Sequence, residues 1–119
     1  MADTSLKLVD EEWLELIGHK FSSFDTKLDS LSNFTPEHNL VFSNFSLPPT
    51  RTKVLILGQD PYPGTGDAMG LAFSTKQKKL PKTLKNIFTE LYDDLGIKRT
   101  SGDLTDWHQQ GVALLNTHL

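Results

Sequence analysis

Four consecutive apolar residues, Val54-Leu55-Ile56-Leu57, run into Gly58 and stop. A short unbroken apolar run with β-branched members is the pattern of a parallel strand covered on both faces. The residues that follow cannot continue it: Gln59-Asp60-Pro61-Tyr62-Pro63-Gly64, then Gly66 and Gly70 ahead of Phe73. Pro61 biases Asp60 away from helical backbone angles, and the glycines permit close approach of backbone to a ligand. A second run, Val112-Ala113-Leu114-Leu115-Asn116, begins after Gly111. Between the two, Leu84, Ile87, Phe88, Leu91 and Leu95 share one helical face, with Thr83 as a candidate N-cap and Gly96 as C-cap. Strand, helix, strand in that order predicts a right-handed parallel βαβ unit and an α/β fold. In such sheets ligands bind beyond the carboxyl ends of the strands, which is where Asp60 and Asn116 fall.

The rest of the chain reads as support. Asp10 can cap a first helix carrying Trp13, Leu14, Ile17 and Phe21. A break near Ser22-Ser23 separates it from a second helix with Phe24, Leu28 and Leu31, and Thr35-Pro36-Glu37 reads as a further helix start. Leu40, Val41, Phe42 and Phe45 supply apolar contacts, Leu47-Pro48-Pro49-Thr50 is a connector, and a short helix is predicted over Leu104–Gln110. The chain has 119 residues, enough for one small domain, and no cysteine. Disulfides and thiol nucleophiles are therefore excluded, and a reducing, intracellular setting is the expectation. No apolar stretch reaches transmembrane length, and the first residues lack a secretory pattern. The net charge of −3 does not itself point to nucleic acid, but Lys76, Lys78, Lys79, Lys82 and Lys85 fall together with no acid among them.

Gly58-Gln59-Asp60-Pro61-Tyr62 followed by Gly-Leu-Ala-Phe-Ser at 70–74 closely resembles the main uracil-DNA glycosylase family. Three further stretches keep the family's order: Leu80-Pro81-Lys82-Thr83-Leu84-Lys85-Asn86-Ile87, Trp107 with Gln110-Gly111-Val112, and Leu114-Leu115-Asn116-Thr117. The likeness runs from about Phe42 to the last residue, whereas residues 1–41 fit only as helical N-terminal material. It implies a parallel-sheet glycosylase fold flanked by helices, here a single partial domain over 1–119 that is truncated after the second strand. The resemblance places two more strands, a uracil-contacting histidine motif and a leucine-bearing loop beyond the point that Leu119 matches.

The same resemblance implies roles. Asp60 would stabilise positive charge on deoxyribose and orient or deprotonate the attacking water; read alone, it could equally be an Asx-turn residue. Tyr62 would close the pocket against the 5-methyl of thymine, and Phe73 would be the platform under the flipped base; both could also be core aromatics. Asn116 would read O4 and N3–H of uracil through its amide, or else end a strand in a turn. Gln59 would present its backbone N–H to uracil. Pro81 belongs to the DNA-contacting loop, and Thr83 would touch a phosphate or only cap its helix. Lys82 and Lys85, with their neighbours, would attract phosphates without regard to sequence, or form a solvated face. Pro63 and Met69 stand where relatives commonly carry histidine. His19, His38, His108 and His118 match no family motif, no metal-ligand spacing is present, and the family needs no cofactor.

The leading reading is hydrolysis of the N-glycosidic bond of deoxyuridine in DNA, in base excision repair, by a cytoplasmic, DNA-associated protein that is monomeric when complete. A second keeps the family and drops the activity: a truncated remnant binding DNA or polypeptide at most weakly, with the Val54–Leu57 edge open to association. A third, a dinucleotide-binding domain, has the wrong glycine spacing and no helix opening directly after the loop.

Overall fold

The computed structural model describes residues 6–119. Helix α1, Glu11–Asp29, is capped by Asp10, whose carboxylate accepts from the Glu12 amide at 2.9 Å. Glu11 and Glu12 in its first turn suit the positive end of the helix dipole. The sequence predicted two helices parted at Ser22-Ser23. The chain instead stays helical there and kinks at Ile17 (φ −142°, ψ 29°), beside Gly18. Leu31 lies beyond the helix, which ends at Asp29.

The helix expected from Thr35 does not form. Three 3-10 turns take its place, His38–Leu40, Ser43–Ser46 and Pro49–Arg51. Serine hydroxyls occupy the carbonyls that a longer helix would need: Ser43 Oγ donates to Leu40 O at 2.6 Å, and Ser46 Oγ to Ser43 O at 2.9 Å.

Strands β1, Val54–Gly58, and β2, Val112–Asn116, pair in parallel with Ile56 opposite Leu114 and Gly58 opposite Asn116. Helix α2, Lys82–Leu95, and helix α3, Thr105–Gln109, lie between them in sequence. The left-handed Gly96 (φ 69°) ends α2 as the sequence predicted. Thr83 does not cap its start. Pro81 holds the cap position with no side-chain bond, and Thr83 is the second helical residue.

Two apolar clusters hold these elements. Leu71, Ala72, Leu84, Phe88, Leu104 and Leu114 form one, with Ile56, Phe73 and Trp107 packed against it. Phe21, Leu28, Phe42 and Val9 form the other, which includes edge-on aromatic pairs such as Phe21–Phe45 at 4.9 Å. Asn44 joins them: its buried Oδ1 accepts from the Leu114 amide at 2.7 Å and its carbonyl from His108 Nε2 at 2.9 Å. On the side of β2 away from β1, Leu114 O also accepts from Ala72 N at 3.1 Å. The second strand is thus enclosed on both edges.

β1 is not. It was expected to be covered on both faces, yet Val54, Leu55 and Leu57 remain 51%, 55% and 59% exposed. Its free edge faces no other strand among the described residues, and the face that carries Leu55 and Leu57 is uncovered as well, so only Ile56 and Gly58 of this apolar run turn inward.

Candidate active site at the strand tips

The loop leaving β1 is anchored at its root by the tip of β2. Thr117 N donates to Gly58 O at 3.1 Å, and Thr117 Oγ1 and His118 N both donate to Gln59 O at 3.0 Å. Gly58 is required here: a Cβ would strike the Asn116 side-chain oxygen, so its absence lets the amide sit over the strand tip. Asp60, two residues on, projects into solvent-accessible space, and Pro61 carries the chain to a half-buried Tyr62.

From Tyr62 the loop is stapled back onto itself. The phenol donates to Phe73 O at 2.7 Å. Burial pushes the Tyr62 hydroxyl above its ordinary value, against a smaller opposite effect of its hydrogen bond with Thr83. Phe73 has φ 65°, a left-handed conformation unusual for an aromatic residue. Neighbouring bonds hold it there. Ser74 Oγ accepts from Leu104 N at 2.8 Å and donates to Met69 Sδ at 3.0 Å. Thr75 N donates to Gly102 O at 2.9 Å, and Thr75 Oγ1 to Asp67 O at 2.9 Å.

Gln59, Asp60, Tyr62, Phe73, Thr83 and Asn116 line one cleft of about 400 Å³. The structure therefore brings together residues spread over 58 positions of sequence, from Gln59 to Asn116. Pro81, Lys82 and Lys85 do not reach this cleft. With Lys79 they line an adjoining basic groove of about 440 Å³, and Tyr62 and Pro63 form the wall between the two. Met69 serves Ser74 from behind, as its hydrogen bond shows, while Pro63 sits at the boundary of both depressions.

Two contributors to the cleft owe their place to remote packing. Pro36 lines it out of the N-terminal region, where the sequence predicts only a helix start. Gly70 (φ 90°) lines it too, pressed so closely against Leu40 O and Ser43 that no side chain fits. Both are set by chain segments that meet only on folding.

A carboxylate, an amide and an aromatic ring gathered beside the carboxyl ends of two parallel strands define an α/β domain with its candidate site where such sheets bind ligands. The chain belongs to the uracil DNA glycosylase superfamily, whose model matches residues 45–119. It is 55% identical over 87 residues to a uracil-DNA glycosylase of Campylobacter curvus, an alignment covering 71% of this chain and 38% of that protein. It is 43% identical over 113 residues to one of Chlamydia felis, covering 93% of this chain and 49% of the relative. Among solved structures, mimivirus uracil-DNA glycosylase superposes with a TM-score of 0.76 at 29% identity, over 97% of this chain and 50% of the viral one. The chain thus spans about half the length of the relatives it matches.

Proposed function

We propose that this chain supplies the catalytic carboxylate and much of the base-reading pocket for excision of uracil from DNA. The observation that carries the reading is the convergence of Asp60, Tyr62, Phe73 and Asn116 on one cleft. Cleaving the N-glycosidic bond leaves positive charge on the sugar and negative charge on the departing base. Asp60, exposed at the mouth, can face the sugar cation and align a water for attack on the anomeric carbon. The base would stack on Phe73, and the Asn116 amide can offer one donor and one acceptor to its edge. Tyr62, a wall of the same cleft, would exclude a base carrying a 5-methyl group by steric clash. The basic groove beside it, with Pro81, Lys82 and Lys85, fits a DNA strand held by its phosphates, and Thr83, on the cleft side, would touch one of them. The reaction would take place on intracellular DNA, in the cytoplasm.

One observation favours a second reading, that this chain alone is a non-catalytic remnant binding DNA or polypeptide weakly. β1 presents an apolar edge and face to solvent, so the sheet beside the site lacks support that a catalytic geometry needs.

The deciding experiment is uracil release from a single-stranded oligonucleotide containing one deoxyuridine, with Asp60→Asn as control. Release that falls by about 10²-fold or more in the variant supports the catalytic reading. Folded wild-type chain that releases none leaves the second reading in place.

A further inference from the structure

Asp25 and His38 take no part in the chemistry above, yet they form a conspicuous pair. Asp25 lies on α1 and is 2% exposed. A carboxylate in such a place requires a partner. Nε2 of His38 lies 3.0 Å from Asp25 Oδ1, and Nδ1 lies 3.7 Å from Oδ1 of Asp29, one helical turn further on. A carboxylate only accepts, so Nε2 is the donor to Asp25. The ring also meets Phe34 edge-on at 6.0 Å. Segment 34–40 is thereby clasped to α1.

Two parts of the cleft depend on that segment. Pro36, buried, is one of its walls. The carbonyl of Leu40, held by Ser43 Oγ at 2.6 Å, packs onto Gly70 together with the Ser43 side chain. Gly70 leads directly into Leu71-Ala72-Phe73, the stretch that presents the aromatic platform. A continuous path therefore runs from α1 through His38 to both the far wall of the cleft and the backbone under Phe73.

We propose that His38 is a positioning residue. By fastening 34–40 to Asp25 it sets the distance between Pro36 and the Phe73 platform, and so the width of the slot into which a flat base would slide. The ligand named here rests on the proposed function; the clasp itself does not.

The test compares His38→Leu with His38→Gln, whose amide keeps a donor within reach of Asp25. A double variant, Asp25→Leu with His38→Leu, removes the pair without leaving a lone buried carboxylate and serves if His38→Leu fails to fold. Amide hydrogen exchange and affinity for a deoxyuridine-containing single-stranded oligonucleotide are both read. Loss of the clasp should speed exchange over 37–41 and 71–74 by about tenfold while β1 and β2 amides stay within about twofold. Oligonucleotide affinity should fall by about fivefold, and His38→Gln should restore both readouts. Unchanged exchange at 71–74, uniformly faster exchange through β1 and β2, or failure of His38→Gln to rescue would each overturn the proposal. If wild-type chain does not bind the oligonucleotide, the uracil reading falls and the exchange measurements still decide the clasp.

Discussion

Phe73 shows how much one backbone angle can rest on a distant side chain. A left-handed aromatic residue costs on the order of 1–3 kcal/mol, and the structure holds it with a hydrogen bond from Tyr62 at 2.7 Å. Tyr62→Phe should therefore lower stability by about 1 kcal/mol and let the backbone at Phe73 relax, visible in denaturant melts and as faster exchange at Ser74. The hydroxyl is held above its ordinary value by burial, so the folded state favours the neutral phenol. Its contribution is complete below the unfolded value of about 10 and is lost as pH rises through the higher folded one. The gap between wild type and Tyr62→Phe should close in strong alkali, and a gap that persists there would exclude the hydrogen bond as its source. The motifs that carry Asp60, Tyr62 and Asn116 to one cleft were legible in the sequence through their resemblance to the family. The strain at Phe73 was not, because nothing in Leu-Ala-Phe-Ser prefers a positive φ.

At the scale of elements, α2 and α3 are joined by an arginine. The Arg99 guanidinium is bidentate on Asp106, with both N–O distances 2.6 Å, and donates to Asp103 O at 2.6 Å. It also stacks over Trp107 at 5.1 Å and Phe88 at 5.8 Å. The guanidinium holds the Asp106 carboxyl below its usual value through their hydrogen bonds. Asp106 is half exposed, so the ion pair itself contributes modestly. Adding the stacking, Arg99→Ala should cost about 1–2 kcal/mol at neutral pH. Arg99→Lys should recover little, since it lacks the planar fork. Because the Asp106 carboxyl is depressed, the pair's contribution is present above the unfolded value of about 4 and fades as pH falls through the lower folded one. Melts at neutral and strongly acid pH should show the Arg99→Ala deficit shrinking in acid. α2, β1 and β2 were readable from their apolar patterns, each of a single unbroken period, and α2 also from Gly96 at its end, though not from Thr83 at its start. The kink at Ile17 and the 3-10 turns after Pro36 were not. They depend on the aromatic cluster of Phe21, Phe42 and Phe45 and on serine hydroxyls competing for carbonyls.

For the molecule as a whole, the open edge of β1 is a surface feature with consequences for association. Val54, Leu55 and Leu57 present apolar surface beside unpaired strand groups, the arrangement that recruits further strands. The purified chain should associate with rising concentration, and Leu55→Lys should suppress this while leaving the β1–β2 pairing intact. Sedimentation velocity over a concentration series reads the first effect and exchange at Ala113 the second. A chain that stays monomeric throughout would show that the edge is better protected than its exposure suggests.

The family, the parallel βαβ core and the motifs that carry Asp60, Tyr62, Phe73 and Asn116 could be read from the order of residues, because each is written in a contiguous motif or a regular apolar period. How the cleft is assembled came from folding. Pro36 enters the cleft, Gly70 accepts the Leu40 turn, and Asn44 reaches across 70 residues to the Leu114 amide. Such arrangements come from packing between segments remote in the chain, which local sequence preference does not encode.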